Sequence, residues 1–158
     1  MDKETLIAAV KTSVSEVLEK MFFLPLDFHE TANLEECLDS DIKKLISCRL
    51  DFGGPFSGYC RFFIPKKLAQ SITADFMGNN EGNVSEEQIT DTVKETVNMI
   101  AGNSFSIYDD LSVFDLGLPE IASFEKTETE VLDSRENIII AITAIDDHRL
   151  AVQVVINS

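Results

Sequence analysis

Apolar residues recur at intervals of three or four between residues 6 and 21, and this spacing predicts an amphipathic helix. A second helix is predicted between Pro65 and Gly78, because proline is favoured at the opening of a helix and glycine just after its end. The apolar stripe of this second helix consists of Leu68, Ile72 and Phe76. Both helices therefore need a hydrophobic surface to cover them.

A third and longer helix is predicted from Ser85 to the region of Ser104 or Tyr108. Ser85 and Gln88 have the spacing of a capping box, in which each side chain bonds to the backbone N–H of the other residue. One side of the helix carries an apolar stripe that consists of Ile89, Val93, Val97, Ile100 and Ile107. The stripe predicts that this helix is anchored on the protein core.

Two hairpins are predicted from strand-like patterns. In the first, every second residue from Ile42 to Phe52 is apolar except Lys44 near the start, a Gly-Gly-Pro turn follows, and residues 56–64 return. In the second, residues 138–145 and 149–156 are apolar at nearly every position, around a turn at residues 146–147. Such strands are typical of a sheet that is covered on both faces. The helices would cover one face, and a partner subunit is a candidate for the other.

Between the third helix and the second hairpin, residues 114–123 predict an edge strand that is interrupted by Gly117 and Pro119. The next stretch, residues 125–135, is polar and acidic and predicts a long hairpin arm or a loop.

A weak internal repeat is also present, because residues 14–21 align with residues 93–100 and an apolar hairpin follows each copy. The sequence therefore predicts a single α+β domain over residues 1–158. In this fold, long amphipathic helices pack on one face of a largely antiparallel sheet.

The formal net charge of −15 over 158 residues bears on partners rather than on the fold. It argues against nucleic acid and against an anionic membrane surface, because both would repel the chain. No apolar run is long enough for a membrane span, and no signal-peptide pattern opens the sequence. Three cysteines without C-x-x-C spacing indicate a reduced, cytoplasmic protein.

Opposite its apolar stripe, the third helix carries a polar ridge made of Asp91, Glu95, Asn98 and Gly102. At about 100° per residue these four positions fall within a sector of roughly 60°. Gly102 would let another backbone approach closely. Phe105 projects within roughly 40° of the same sector, where it would either contact a partner or fold back into the core. A carboxylate beside an amide on an anchored helix predicts a surface that docks a partner and positions a water molecule.

The arrangement Asp91-x-x-x-Glu95-x-x-Asn98, followed by a nearby glycine and by Pro119, resembles the signature of the CheC/CheX/FliY phosphatases of bacterial chemotaxis. The strand-turn-strand-helix layout of residues 45–78 also resembles CheX-type members. The resemblance therefore covers most of the chain in layout, and it implies the two-layer CheC-like fold.

Within that family, CheC members carry the Glu/Asn pair on two related helices and CheX members carry it once. In this chain the first helix has Glu16, but Glu19 stands where the asparagine would be. The single intact copy is most similar to CheX. The resemblance to CheX also implies a homodimer.

The resemblance further implies a phosphatase that hydrolyses the aspartyl phosphate of a CheY-type response regulator, in chemotaxis or a related two-component pathway. Asn98 would position the attacking water, and Glu95 would pair with the lysine of the regulator. Asp91, Gly102 and Phe105 would contact the partner. The Mg²⁺ of the reaction would belong to the regulator, and no metal or cofactor is expected in this chain.

Other interpretations of the ridge stay open at this level. Asp, Glu and Asn opposite an apolar stripe are residues that any solvated helix face can carry without a function. A non-catalytic CheX-like module would bind a receiver domain or a flagellar-switch partner without hydrolysis. Asp91 and Glu95 alone supply too few ligands for a convincing divalent-ion site. No nucleophile–base pair favours a small-molecule hydrolase, and neither His29 nor His148 stands in a catalytic setting.

Overall fold

The structure is a computed structural model, and it describes residues 1–31, 45–78, 80–122, 136–144 and 148–157. Helix α1 spans Lys3–Val14 and continues in wider π-helical turns over Ser15–Met21. Helix α2 spans Lys66–Met77, and helix α3 spans Glu86–Tyr108 after a short 3₁₀ turn at Glu81–Asn83. The strands are β1 (Asp27–Thr31), β2 (Leu45–Gly53), β3 (Gly58–Pro65), β4 (Asp115–Leu116), β5 (Glu120–Ala122), β6 (Glu136–Thr143) and β7 (Arg149–Ile156). All three predicted helices are confirmed.

Within the described ranges the strands form one seven-stranded sheet, in the order β1-β6-β7-β3-β2-β4, with β5 also paired to β2. Every pairing is antiparallel. Both predicted hairpins are present, and the predicted edge strand is confirmed as two short strands on either side of residues 117–119. The helices pack on one face of the sheet, where Leu6, Val97 and Ile72 join a core that includes Phe62 and Ile140. The predicted α+β class is confirmed.

The strand order is symmetric about the central β7–β3 pair. The first half supplies α1, β1 and the β2–β3 hairpin, and the second half supplies α3, β5 and the β6–β7 hairpin. β1 pairs with β6 of the second half, whereas β5 pairs with β2 of the first half. The predicted helix-plus-hairpin repeat is therefore confirmed. One strand of each half pairs with the hairpin of the other half.

On the face of the sheet away from the helices, a second cluster is formed by Phe63, Ile139 and Ala151. These side chains are already buried within a single chain, at 0%, 5% and 0% exposure. A partner subunit is therefore not needed to cover them. The homodimer stays a prediction.

Three apolar residues of the predicted stripes are not buried, because Met21 is 47% exposed, Phe76 is 64% exposed and Ile107 is 44% exposed. Phe76 lies in the last turn of α2, at the rim of the core, where its ring meets Phe22 at 6.5 Å between centroids. In the last turns of α3 the buried side of the helix turns toward Phe105, which is 3% exposed, so that Ile107 faces outward.

Three sequence predictions lie outside the described residues. They are the polar stretch at residues 125–135, the turn at residues 146–147, and the start of the first strand at residues 42–44.

Candidate functional site

The polar ridge lies on the outer side of α3, as predicted. Asp91, Glu95 and Asn98 are all exposed, whereas Val93 and Val97 on the other side of the helix are each 3% exposed. The first turn of α3 is fixed by the predicted capping box. Gln88 N donates to the Ser85 hydroxyl at 3.1 Å, and Ser85 N donates to the Gln88 side chain at 2.8 Å. The ridge is therefore presented by a helix whose start and buried side are both well determined.

One hydroxyl group joins the middle of α3 to α1, and a second hydroxyl group bonds within α3 itself. Ser13 Oγ of α1 donates to the Ile100 carbonyl at 2.8 Å, and Ser104 Oγ donates to the same carbonyl at 2.6 Å. At the end of α3 the Tyr108 hydroxyl accepts a bond from Asp2 N at 2.9 Å. Because these contacts flank Asn98 on its C-terminal side, its backbone position is set before any partner arrives.

The three polar side chains of the ridge have no internal partner. Within the described part of the chain, none of Asp91, Glu95 and Asn98 makes a hydrogen bond or an ion pair. Asn103 on the same helix differs, since its Nδ2 donates to Glu16 Oε2 at 3.1 Å. The amide of Asn98 and the carboxylate of Glu95 can therefore bind a partner without breaking an internal bond.

The corresponding part of the first repeat is engaged within the fold. Besides the contact between Glu16 and Asn103, Glu19 Oε1 accepts a bond from Ser15 Oγ at 2.9 Å. Both glutamates are half-buried. Unlike α3, the first helix offers no free glutamate and asparagine pair.

Gly102 and Phe105 differ in their exposure. Gly102 is half-buried, and a Cβ added there would lie 3.8 Å from Leu116 Cδ1. Phe105 is 3% exposed and stacks on Phe114, with 4.6 Å between ring centroids and 18° between ring planes. Its ring also lies 4.4 Å from that of Phe52. The prediction that the Phe105 ring is exposed is therefore wrong, and the alternative prediction, in which the ring folds back into the core, is correct.

Sequence reasoning missed a groove that opens beside the ridge. We call it the Gly102 groove; it has a volume of about 300 Å³ and is lined by Gly102, Phe105, Ser106, Asp109, Asp110, Ser112, Val113, Phe114 and Leu116. Val113 is 77% exposed and the neighbouring Leu111 is 91% exposed. The one trace of this groove in the sequence is the pair Asp109 and Asp110 beside the apolar Leu111 and Val113, directly after the end of α3.

Among the described residues, neither cysteine is an activated thiol and no cluster of metal-ligating side chains is present. Burial raises the pKa of the Cys48 and Cys60 thiols to about 12, so both stay protonated at neutral pH. No group of three or more His, Cys, Asp or Glu side chains in the described residues is arranged to hold a metal ion. Over the same residues, no helix has the length and hydropathy of a membrane span.

Three solved structures share this fold over nearly the whole chain. A CheC-like protein from Shewanella oneidensis MR-1 is 19% identical with a TM-score of 0.72, covering 97% of this chain and 98% of its own. CheX from Vibrio vulnificus is 18% identical with a TM-score of 0.72, covering 96% of each chain. A CheX–CheY–BeF₃–Mg²⁺ complex from Borrelia burgdorferi matches at 14% identity and a TM-score of 0.65, covering 96% of this chain and 97% of that chain.

Comparison with curated protein sequences finds no match. The family profile described as "Chemotaxis phosphatase CheX" matches residues 46–143. The matched segment makes up more than half of the chain and contains the first hairpin from residue 46 onward and the whole polar ridge. The chain belongs to the CheX family of chemotaxis phosphatases.

Proposed function

We propose that this protein hydrolyses the aspartyl phosphate of a CheY-type receiver domain, in chemotaxis or a related two-component pathway. The observation that carries the proposal is the exposed pair of Glu95 and Asn98, which has no partner among the described residues although its helix is firmly packed. Membership of the CheX family supports the activity. The CheX–CheY complex from Borrelia burgdorferi, which shares the fold, supports the class of partner.

In this proposal Asn98 positions the attacking water molecule. The water oxygen bonds to phosphorus, and the bond between phosphorus and the aspartyl oxygen breaks. The products are inorganic phosphate and the free aspartate carboxylate of the receiver domain. The amide oxygen of Asn98 accepts a hydrogen bond from the water, and its NH₂ group donates to a neighbouring acceptor. Holding a reactant in line removes much of the entropic barrier of such a step. An amide also suits this place better than a carboxylate, which the phosphoryl oxygens would repel.

Glu95 and Asp91 are assigned to docking. Glu95 lies about 4.5 Å before Asn98 along the helix axis, close enough for both to enter one active site. Its carboxylate would form a charge-assisted hydrogen bond with the lysine of the receiver domain. Asp91 lies about one turn further away and would contact the rim of the partner. The Mg²⁺ that neutralises the phosphoryl oxygens is expected in the receiver domain.

The test is phosphate release from an acyl-phosphorylated receiver domain with Mg²⁺, in the presence of the wild type or of Asn98→Ala. We expect the wild type to accelerate release and Asn98→Ala to lower kcat about a hundredfold or more, because the water is no longer held in line. Asn103→Ala is the matched control, since it removes an exposed amide from the same helix outside the ridge. Full activity in Asn98→Ala would refute the mechanism. Binding without any acceleration by the wild type would instead make the protein a non-catalytic module.

A further inference from the structure

The Gly102 groove and the polar ridge form one continuous surface, because Gly102 belongs to both. Along the axis of α3, Gly102 lies about 6 Å beyond Asn98. A protein partner of ordinary interface size covers about 800 Å² on each side, a patch that extends roughly 16 Å from its centre. A receiver domain whose interface is centred on Asn98 therefore also covers the groove.

The groove offers apolar surface to that partner. Half-buried Phe114 lines its inner side and stacks on the buried ring of Phe105. At its rim Val113 is 77% exposed, and the adjacent Leu111 is 91% exposed. Apolar side chains with so much contact with water gain free energy when a partner covers them.

The charge of the groove is negative. Asp109 and Asp110 line it, and none of its described lining residues is a lysine or an arginine. Asp109 accepts hydrogen bonds from the Ser112 hydroxyl at 2.5 Å and from Leu111 N at 3.1 Å, and these bonds hold the pKa of its carboxyl below the ordinary value. The C-terminal end of α3 adds the negative end of a helix dipole. The groove thus favours a cationic group beside an apolar one.

We propose that the Gly102 groove is the surface that selects the receiver domain, and that it binds an apolar side chain of the receiver next to a lysine or arginine. The identity of the partner rests on the proposed function. The ridge meets chemistry that all phosphorylated receiver domains share, namely the phosphoryl group and the lysine. The groove meets side chains outside that shared chemistry, so a receiver without the apolar and cationic pair is bound more weakly.

The test uses Val113→Ser and Asp110→Asn, which change one apolar and one charged group of the groove. Both residues are exposed, and neither makes a hydrogen bond or an ion pair within the described residues, so the fold should tolerate the changes. Leu118→Ser and Asp75→Asn are the matched controls, since they make the same kinds of change at exposed positions that do not line the groove. Thermal unfolding verifies that all four variants are folded.

Binding is measured as the Kd for a receiver domain activated with beryllium fluoride, and turnover as kcat and KM for phosphate release. Val113→Ser is expected to raise Kd and KM about tenfold, because the variant no longer gains the free energy of burying the apolar Val113 side chain on binding. Asp110→Asn is expected to raise both about threefold at low salt, with no difference from wild type at about 0.5 M salt. The value of kcat at saturation should be unchanged, because neither residue touches the reacting atoms.

Each outcome separates the two proposals. If the groove variants bind and turn over the receiver like the controls, the groove proposal is overturned and the phosphatase proposal stands. If the wild type binds the activated receiver without releasing phosphate, the phosphatase proposal is overturned, and the Kd values of the groove variants still decide the role of the groove. A wild type that binds no receiver domain overturns both.

Discussion

Gly102→Ala is expected to make the protein more stable and less active at the same time. Gly102 lies inside α3, and the only described atom that an added Cβ would approach within 4 Å is Leu116 Cδ1, at 3.8 Å. That distance is an ordinary van der Waals contact. Alanine is about 1 kcal/mol more favourable than glycine in the interior of a helix. A gain of this size should raise Tm by about 2–4 °C in a domain of this length.

The loss of activity follows from the place of Gly102 in the polar ridge. An added methyl group would occupy the surface that a closely approaching receiver domain needs. Overpacking a close contact in this way costs about 1–2 kcal/mol, which corresponds to roughly a five- to thirtyfold rise in KM. The value of kcat at saturation should change less, because Asn98 keeps its position on the helix.

Thermal unfolding and phosphate release are measured on the same preparations of wild type and Gly102→Ala. Gly82→Ala is the matched control, since an added Cβ there meets no described atom within 4 Å and the residue lies outside the ridge. A more stable Gly102→Ala with an unchanged KM would show that no partner approaches Gly102. A less stable variant would show that the space around Gly102 is too small for a methyl group.

Two further predictions concern the core. Phe105→Ala should lower the free energy of unfolding by about 3–5 kcal/mol, because the ring is 3% exposed; a loss below about 1 kcal/mol in urea unfolding would contradict its burial. Burial raises the pKa of Cys48 and Cys60 from 9.0 to about 12, so the folded state holds these protons more tightly than the unfolded state. Their contribution to stability should be complete below pH 9 and lost as the pH rises toward 12. Urea unfolding at several pH values should show a shallower decline in Cys48→Ala, and an equal slope would contradict the assignment.

The start of α3 and its polar ridge were predictable because both depend on local spacing. Ser85 and Gln88 define the first turn through their own side chains, and the ridge follows from the regular period of the helix. Tertiary packing did not alter these features, since Asp91, Glu95 and Asn98 lie on the side of the helix that faces away from the core.

The exposure of Phe105 and Ile107 was not predictable from the helical period. A projection along the helix assumes a single buried direction, but the last turns of α3 pack against an aromatic cluster that includes Phe52, Phe56 and Phe114. These rings come from β2, from the turn after it and from the chain that returns after α3. Distant segments thus redirect the buried side of the helix, and the same returning chain forms the Gly102 groove.

The exchange of strands between the two halves was equally beyond the sequence pattern. The repeat predicted two similar units, but the pairing of β1 with β6 and of β5 with β2 joins residues that are distant along the chain. Period and turn signals define a strand, whereas they do not state which edge it joins.

This exchange has a consequence for cooperativity. A half separated from the other would leave the outer edge of its own hairpin unpaired, and an open edge of this kind is a template for association with other chains. The two halves are therefore expected to gain or lose their structure together, as one folding unit. The first helix, whose glutamates bind internally, therefore serves as a scaffold. It gives rigid support to the helix of the second half, which carries the exposed ridge.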